Sequence, residues 1–139
     1  MANVWAINDS TAGGFHTLSN LVVRNAGRVD YSVTPGNSRE LLLNDGTAFT
    51  NVAGALFDIK GDVNVTENSG TPGAFDNAGI VRKSAGTGTG GLVGPSIAVT
   101  NASGGSFEAR SGTFDVRNFS ANDGIIDVAA GTTFRPSSA

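Results

Sequence analysis

The stretch Phe49–Gly61, FTNVAGALFDIKG, places an apolar residue, an Asn and a Gly-containing turn in front of apolar positions spaced two apart. The same order returns as VVRNAGRVDYSV from Val22, FDNAGIVRKSAG from Phe75, VTNASGGSFEARSG from Val99 and FSANDGIIDVAAG from Phe119. Marked by the Asn, the units begin at Asn25, Asn51, Asn77, Asn101 and Asn122, with separations of 26, 26, 24 and 21 residues. Marked by the Gly, they fall at Gly27, Gly54, Gly79, Gly104 and Gly124, separated by 27, 25, 25 and 20. A period of this size is the signature of stacked repeats, each unit being too small to bury its own apolar face.

Within a unit the apolar residues alternate. Phe57 and Ile59 precede Gly61-Asp62, and Val63 and Val65 follow it, which is the pattern of two short strands meeting at a corner. Phe107 and Ala109 stand in the same relation to Phe114 and Val116, while Val29, Tyr31 and Val33 and then Ile126, Val128 and Phe134 supply further period-two runs. No window carries a capped stripe of helical period. Hairpin turns of the Asn-Gly or Asp-Gly kind are missing between matched runs, whereas like residues recur once per unit. Stacking the units in parallel sets like over like at about 4.8 Å, so the expected fold is an all-β, parallel β-helix (β-solenoid) of about five or six coils.

That fold assigns roles to the repeated words. Gly at a corner takes a left-handed backbone freely and Asn tolerates it, and stacked Asn amides can bond from coil to coil. Inward Phe, Val, Ile and Leu fill the bore, each contributing on the order of 2 kcal/mol at about 25 cal/mol per Å². Aligning on Gly54, Gly79 and Gly104 puts Asp58, Lys83 and Glu108 in one outward column of alternating sign. Two stretches, Asn68–Asp76 and Ser84–Ser96, are too rich in Gly, Thr and Pro to be strand throughout and read as loops or ragged corners.

Composition narrows the function. Of 139 residues only 15% are charged, 39% are hydrophobic and 20 are Gly, a turn-rich all-β balance. A formal charge of -3 offers no basic footprint for nucleic acid or anionic lipid. Cys 0 excludes disulfides, thiolate metal sites and a cysteine nucleophile. No apolar run is long enough to span a membrane, and the start MANVWAIND has no basic region followed by an apolar one. If the protein is exported, the expectation is an excised segment with its own start Met.

Chemistry-bearing residues are sparse. His16 is the only histidine, so any Ser/His/Asp or Cys/His arrangement would run through it; its setting in GGFHTLSN reads as a surface or strand-edge position. Asp58 and Asp62 flank a Gly turn, Asp123 and Asp127 surround NDGIID, and Asp115 follows Phe114. Parallel β-helices host polysaccharide lyases and glycosidases that use paired acids or calcium, but these acids form no dense cluster and read as solvated outward residues. GTGTGG lacks the acid of a calcium repeat and the Lys of a phosphate loop. Lys60-Gly61-Asp62 has the form of an integrin-binding tripeptide, and Asn8, Asn64, Asn101 and Asn118 each open an N-x-[ST] sequon. Regular Thr columns for an ice-binding face are missing. Trp5 reads as a cap on the bore.

SNLVVRNAGRVDYS (Ser19–Ser32), followed by RELLLNDGTAFTNVAGALFDIKGDVNVT (Arg39–Thr66), resembles the passenger domains of bacterial autotransporters and related filamentous-haemagglutinin-like surface proteins. VWAIND near the start is similar to passenger coils that begin with an isolated Trp. The likeness runs over nearly the whole chain, though its repeats reflect coil geometry more than chemistry. It implies a right-handed parallel β-helix exported to the cell surface as a stalk, adhesin or matrix component, with no catalytic residue. The chain departs from the family pattern in lacking a membrane-barrel segment, a secretion signal and an Asn-Pro-Asn-Gly element.

The expectation is therefore one β-solenoid domain over 1–139, a segment of a larger exported repeat protein, extracellular or on the bacterial cell surface. Its role is structural or adhesive and non-catalytic, with no catalytic, cofactor-binding or metal residue and no cofactor. Open coil ends are expected to support self-association into filaments, and host or matrix glycans or proteins are the other expected partners, without nucleic acid or membrane insertion. The alternative is a polysaccharide-binding or polysaccharide-cleaving β-helix module.

Overall fold

The computed structural model describes residues 4–7, 15–33 and 40–138, which form seventeen β-strands and no helix. The first coil holds β1 (Val4–Ile7), β2 (His16–Ser19) and β3 (Val22–Asn25), and the second β4 (Arg28–Tyr31), β5 (Leu41–Asn44) and β6 (Ala48–Asn51). The third holds β7 (Leu56–Lys60), β8 (Asn64–Thr66) and β9 (Ala74–Asn77), and the fourth β10 (Ile80–Ala85), β11 (Thr89–Leu92) and β12 (Ala98–Asn101). β13 (Ser106–Ala109), β14 (Thr113–Val116) and β15 (Phe119–Asn122) make the fifth, and β16 (Ile125–Val128) and β17 (Thr133–Pro136) begin a sixth.

Every third strand pairs in parallel. β1, β4, β7, β10, β13 and β16 form sheet A, β2, β5, β8, β11, β14 and β17 form sheet B, and β3, β6, β9, β12 and β15 form sheet C. The chain is a parallel β-solenoid of about five turns, as its repeats require. The corner Gly61-Asp62 does separate two strands, β7 in sheet A and β8 in sheet B.

Register sets like over like. Val23, Phe49, Phe75 and Val99 form one inward column of sheet C, and Val29, Phe57, Val81 and Phe107 one of sheet A. Phe49 stacks on Phe75 with ring centres 4.9 Å apart, and Phe57 meets both edge-on at 5.3 Å. A second aromatic group joins Phe107 to Phe114, Phe119 and Phe134. Coil four lies between the two groups and brings no ring to the bore.

The Asn markers form a continuous internal ladder. Asn25 Nδ2 donates to Asn51 Oδ1, Asn51 to Asn77, Asn77 to Asn101 and Asn101 to Asn122, each at 2.8 Å. The second N–H of each amide donates to a backbone carbonyl, those of Leu56, Ile80, Ser106 and Ile125 in turn. These side chains act through their amides; among the described residues the non-glycine ones with left-handed backbone are Asn20, Asp45 and Asn118 instead. The glycines also divide. Gly54 has φ +80° with open space beside it, whereas a Cβ on Gly79 would clash with the Ala55 carbonyl and lie 2.5 Å from that of Val52.

That division corrects the charge column. Gly54 is followed by Ala55 before β7 begins, but Gly79 leads directly into β10, so the two glycines are not equivalent. Arg82, not Lys83, stands between Asp58 and Glu108. Lys83 falls one place later, in the inward column with Ile59 and Ala109, and is fully buried. Of the two Gly-rich stretches, Asn68–Asp76 ends inside β9, and Ser84–Ser96 contains the whole of β11. Glycine is needed there because a Cβ on Gly90 would lie 2.8 Å from both N and O of Val63 in the coil below.

Candidate functional site

Among the described residues, side chains that could do chemistry gather on the outward face of sheet A, at the corner around Lys83, and on the first and last coils.

On sheet A, acids and bases interleave. Arg28 bonds Asp30 at 2.6 Å and reaches Asp58 at 3.3 Å, and Lys60 bonds Asp30 at 2.8 Å. Arg82 bonds Glu108 at 2.7 Å, and Arg110 bridges Glu108 and Asp127 at 3.2 and 2.5 Å. Burial pushes the Asp30 carboxyl up, but hydrogen bonds from Lys60 and Arg28, with their charges, outweigh it and hold the group below its usual range. Asp115, on sheet B, is buried beneath Arg135 at 2.7 Å and Arg117 at 3.4 Å. Asp123 is exposed at the turn after β15. The candidate carboxylates thus lie on two sheets, with Asp62 and Asp123 at turns. Four of them, Asp58, Asp62, Asp115 and Asp127, hold basic partners.

The corner between sheets A and B is the chemically richest point. Lys83 Nζ donates to Asp62 Oδ1 at 3.0 Å and to the carbonyls of Ala85, Gly86 and Ser111 at 2.8, 3.0 and 3.3 Å. Asp62 Oδ2 accepts the Gly88 N–H at 3.0 Å. One ammonium therefore pins corners of three successive coils. An ion in the bore is tolerated only with such a full set of acceptors. Sequence reasoning placed Lys83 outward; counting residues from the strand start rather than from the glycine would have placed it inward. In Lys60-Gly61-Asp62, both charged heads are engaged within the chain, Lys60 by Asp30 and Asp62 by Lys83. Of the sequon residues, Asn101 is sealed in the ladder, Asn64 donates to Glu40 at 3.2 Å, Asn118 sits at a corner, and Asn8 lies outside the described residues.

At the first coil, Trp5 stands in register with Val29, in the inward column of sheet A, and is 44% exposed. It borders a recess of about 320 Å³ with Ile7, Phe15, His16, Leu18 and Leu41. His16 is an edge residue, yet its register partner is the inward Leu41, and its buried Nε2 has no hydrogen-bond partner among the described residues. Val22, on β3 of the same coil, is 87% exposed. At the far end Ile125 is 62% exposed, with Ile126 and Val128 also open. Tyr31, deep in the second coil, donates its hydroxyl to the Asn64 carbonyl at 2.8 Å and accepts the Leu41 N–H at 2.9 Å.

Among the described residues no three His, Cys, Asp or Glu side chains converge as a metal-binding group would. The chain matches no family model, no curated protein and no solved structure in the three comparisons made. The likeness to autotransporter passengers and haemagglutinin-like proteins therefore rests on the repeat words alone, while the β-solenoid rests on the fold.

Proposed function

We propose that this chain is a non-catalytic structural or adhesive β-solenoid segment of a bacterial extracellular or cell-surface protein, and that its copies join end to end through their open coils. The supporting observation is where the exposed large apolar side chains lie. Val4, Trp5, Phe15, Leu21 and Val22 belong to the first coil, and Ile125, Ile126 and Val128 to the last. Ion pairs occupy the outward face of sheet A, while these exposed apolar side chains lie on the first and last coils. Each end also carries strand edges able to take up another strand. The extracellular setting draws on the repeat vocabulary alone.

Electron microscopy of the purified chain across a concentration series tests the reading. Filaments that lengthen with concentration, and vanish in an Ile126→Asp, Val128→Asp variant, are the expected result; monomers at every concentration would overturn end-to-end assembly. The alternative, a polysaccharide-binding or polysaccharide-cleaving module, draws on the half-exposed Trp5 beside its recess. Glycan binding lost on Trp5→Ala would favour it.

A further inference from the structure

The two lysines of the chain stand in opposite situations. Lys60 lies on the outward face of sheet A, partly exposed, with its ammonium on Asp30 at 2.8 Å. Lys83 is wholly enclosed, and its ammonium meets the Asp62 carboxylate and the carbonyls of Ala85, Gly86 and Ser111. That corner is built for a group with one positive charge and three N–H donors.

Two observations show how little else it accepts. First, the acceptors are anchored independently of the lysine. Asp62 Oδ2 takes the Gly88 N–H at 3.0 Å, and the Gly86 carbonyl also takes the Ser111 hydroxyl at 2.7 Å. Second, the corner has no spare volume. A Cβ on Gly86 would lie 2.3 Å from Asp62 Oδ1, and one on Gly112 would lie 2.4 Å from the Gly88 carbonyl oxygen. Glycine at both places, with φ +81° and +57°, lets three coils close around one nitrogen.

We infer that Lys83 is a modification-sensitive latch on folding: acylation of its amine while the chain is open prevents coil four from closing, and closure then shields the amine from acyl donors. The transfer forms an amide bond between Nζ and the acyl carbon and breaks that carbon's bond to its leaving group. Of the two protons the ammonium gives up, one ends on the leaving group and the other in water. The product is neutral, keeps one N–H and adds a carbonyl oxygen with an alkyl group. In the corner it would set a further acceptor against four oxygens and take from Asp62 the cation it holds. It would also need room where a methyl group on Gly86 or Gly112 finds none. Acylation of Lys60 carries no such consequence, because its head lies at the surface. Asp62, Lys83 and Ser111 are all internal to the solenoid, so the latch does not depend on what meets either end.

The probe is the N-hydroxysuccinimide ester of acetic acid, applied to the intact 139-residue chain, with mass spectrometry reading the acetyl group at each lysine. On the folded chain Lys60 should react, and Lys83 should react about a hundredfold more slowly, as a group reached only through local opening. In a second arm the chain is unfolded in guanidinium chloride, partially acetylated, returned to buffer and separated by gel filtration into folded and unfolded pools. Acetyl-Lys60 should appear to the same extent in both pools, and acetyl-Lys83 in the unfolded pool alone. Reaction of both lysines at one rate on the folded chain, or acetyl-Lys83 shared evenly between the pools, would each overturn the inference.

Discussion

The ammonium of Lys83 and the carboxylate of Asp62 meet at 3.0 Å from opposite sides of the molecular surface: the lysine side chain is wholly enclosed, while the aspartate side chain is 41% open to solvent. The two ends of this pair should therefore respond unequally to mutation. Asp62→Asn leaves a buried cation with only carbonyl dipoles around it, at a cost of about 2 kcal/mol once the aspartate's exposure is allowed for. Lys83→Met removes the charge and keeps the stem's volume, so it should cost less. Urea unfolding of both single variants and the double decides the matter; a Lys83→Met chain weaker than Asp62→Asn would contradict this account.

Position along the Asn ladder should grade the effect of losing an amide. Asn77 accepts from Asn51 and from the Gly79 N–H, and donates to Asn101 and to the Ser106 carbonyl. Asn77→Leu orphans several buried groups at once and should cost about 3 kcal/mol or more. Asn122, exposed at the last rung, accepts from Asn101 and makes no other side-chain bond among the described residues, and Asn122→Leu should cost about 1 kcal/mol. Equal losses in thermal unfolding would mean that the ladder carries little of the stability.

Acid should loosen sheet A through Asp30. Its carboxyl titrates below the unfolded-state value, so the stabilisation is present above about pH 3.9 and is lost as the pH falls through the lower, folded value. Asp30→Asn should shallow the decline in stability below about pH 4, with a small cost at neutral pH because the group is partly solvated. Unfolding midpoints of both proteins across that range provide the check. A parallel decline would show that another carboxylate governs it.

What could be read from the sequence was whatever repeats as chemistry. The Asn marker and the apolar alternation survive imperfect spacing, because a stacked amide and an inward ring each need a like neighbour. Corner length does not repeat. Asn51 to Leu56 and Asn101 to Ser106 span five steps, whereas Asn25 to Arg28, Asn77 to Ile80 and Asn122 to Ile125 span three. A glycine-based alignment therefore slips by one residue, and in a strand one residue exchanges the two faces. Lys83 was misplaced for that reason. β11 stayed hidden in a Gly-rich run because its glycines answer to Val63 and Asp115 in adjoining coils, a demand that leaves no local pattern. The inward turn of His16 likewise depends on its pairing with Leu41.

The lysine in the bore also bears on how such a chain finds its fold. Coils that resemble one another can be mispaired by a whole turn: the amides would still find amides and the phenylalanines would still find apolar neighbours. Lys83 has no such latitude. Its acceptors come from Asp62, from its own corner at Ala85 and Gly86, and from Ser111, and only one threading brings all of them together. A shifted threading would keep the Ala85 and Gly86 carbonyls, which lie on the lysine's own corner, but would lose the Asp62 carboxylate and the Ser111 carbonyl. The cation that makes coil four costly thereby serves as a key, raising the energy of every misthreaded stack above that of the native one.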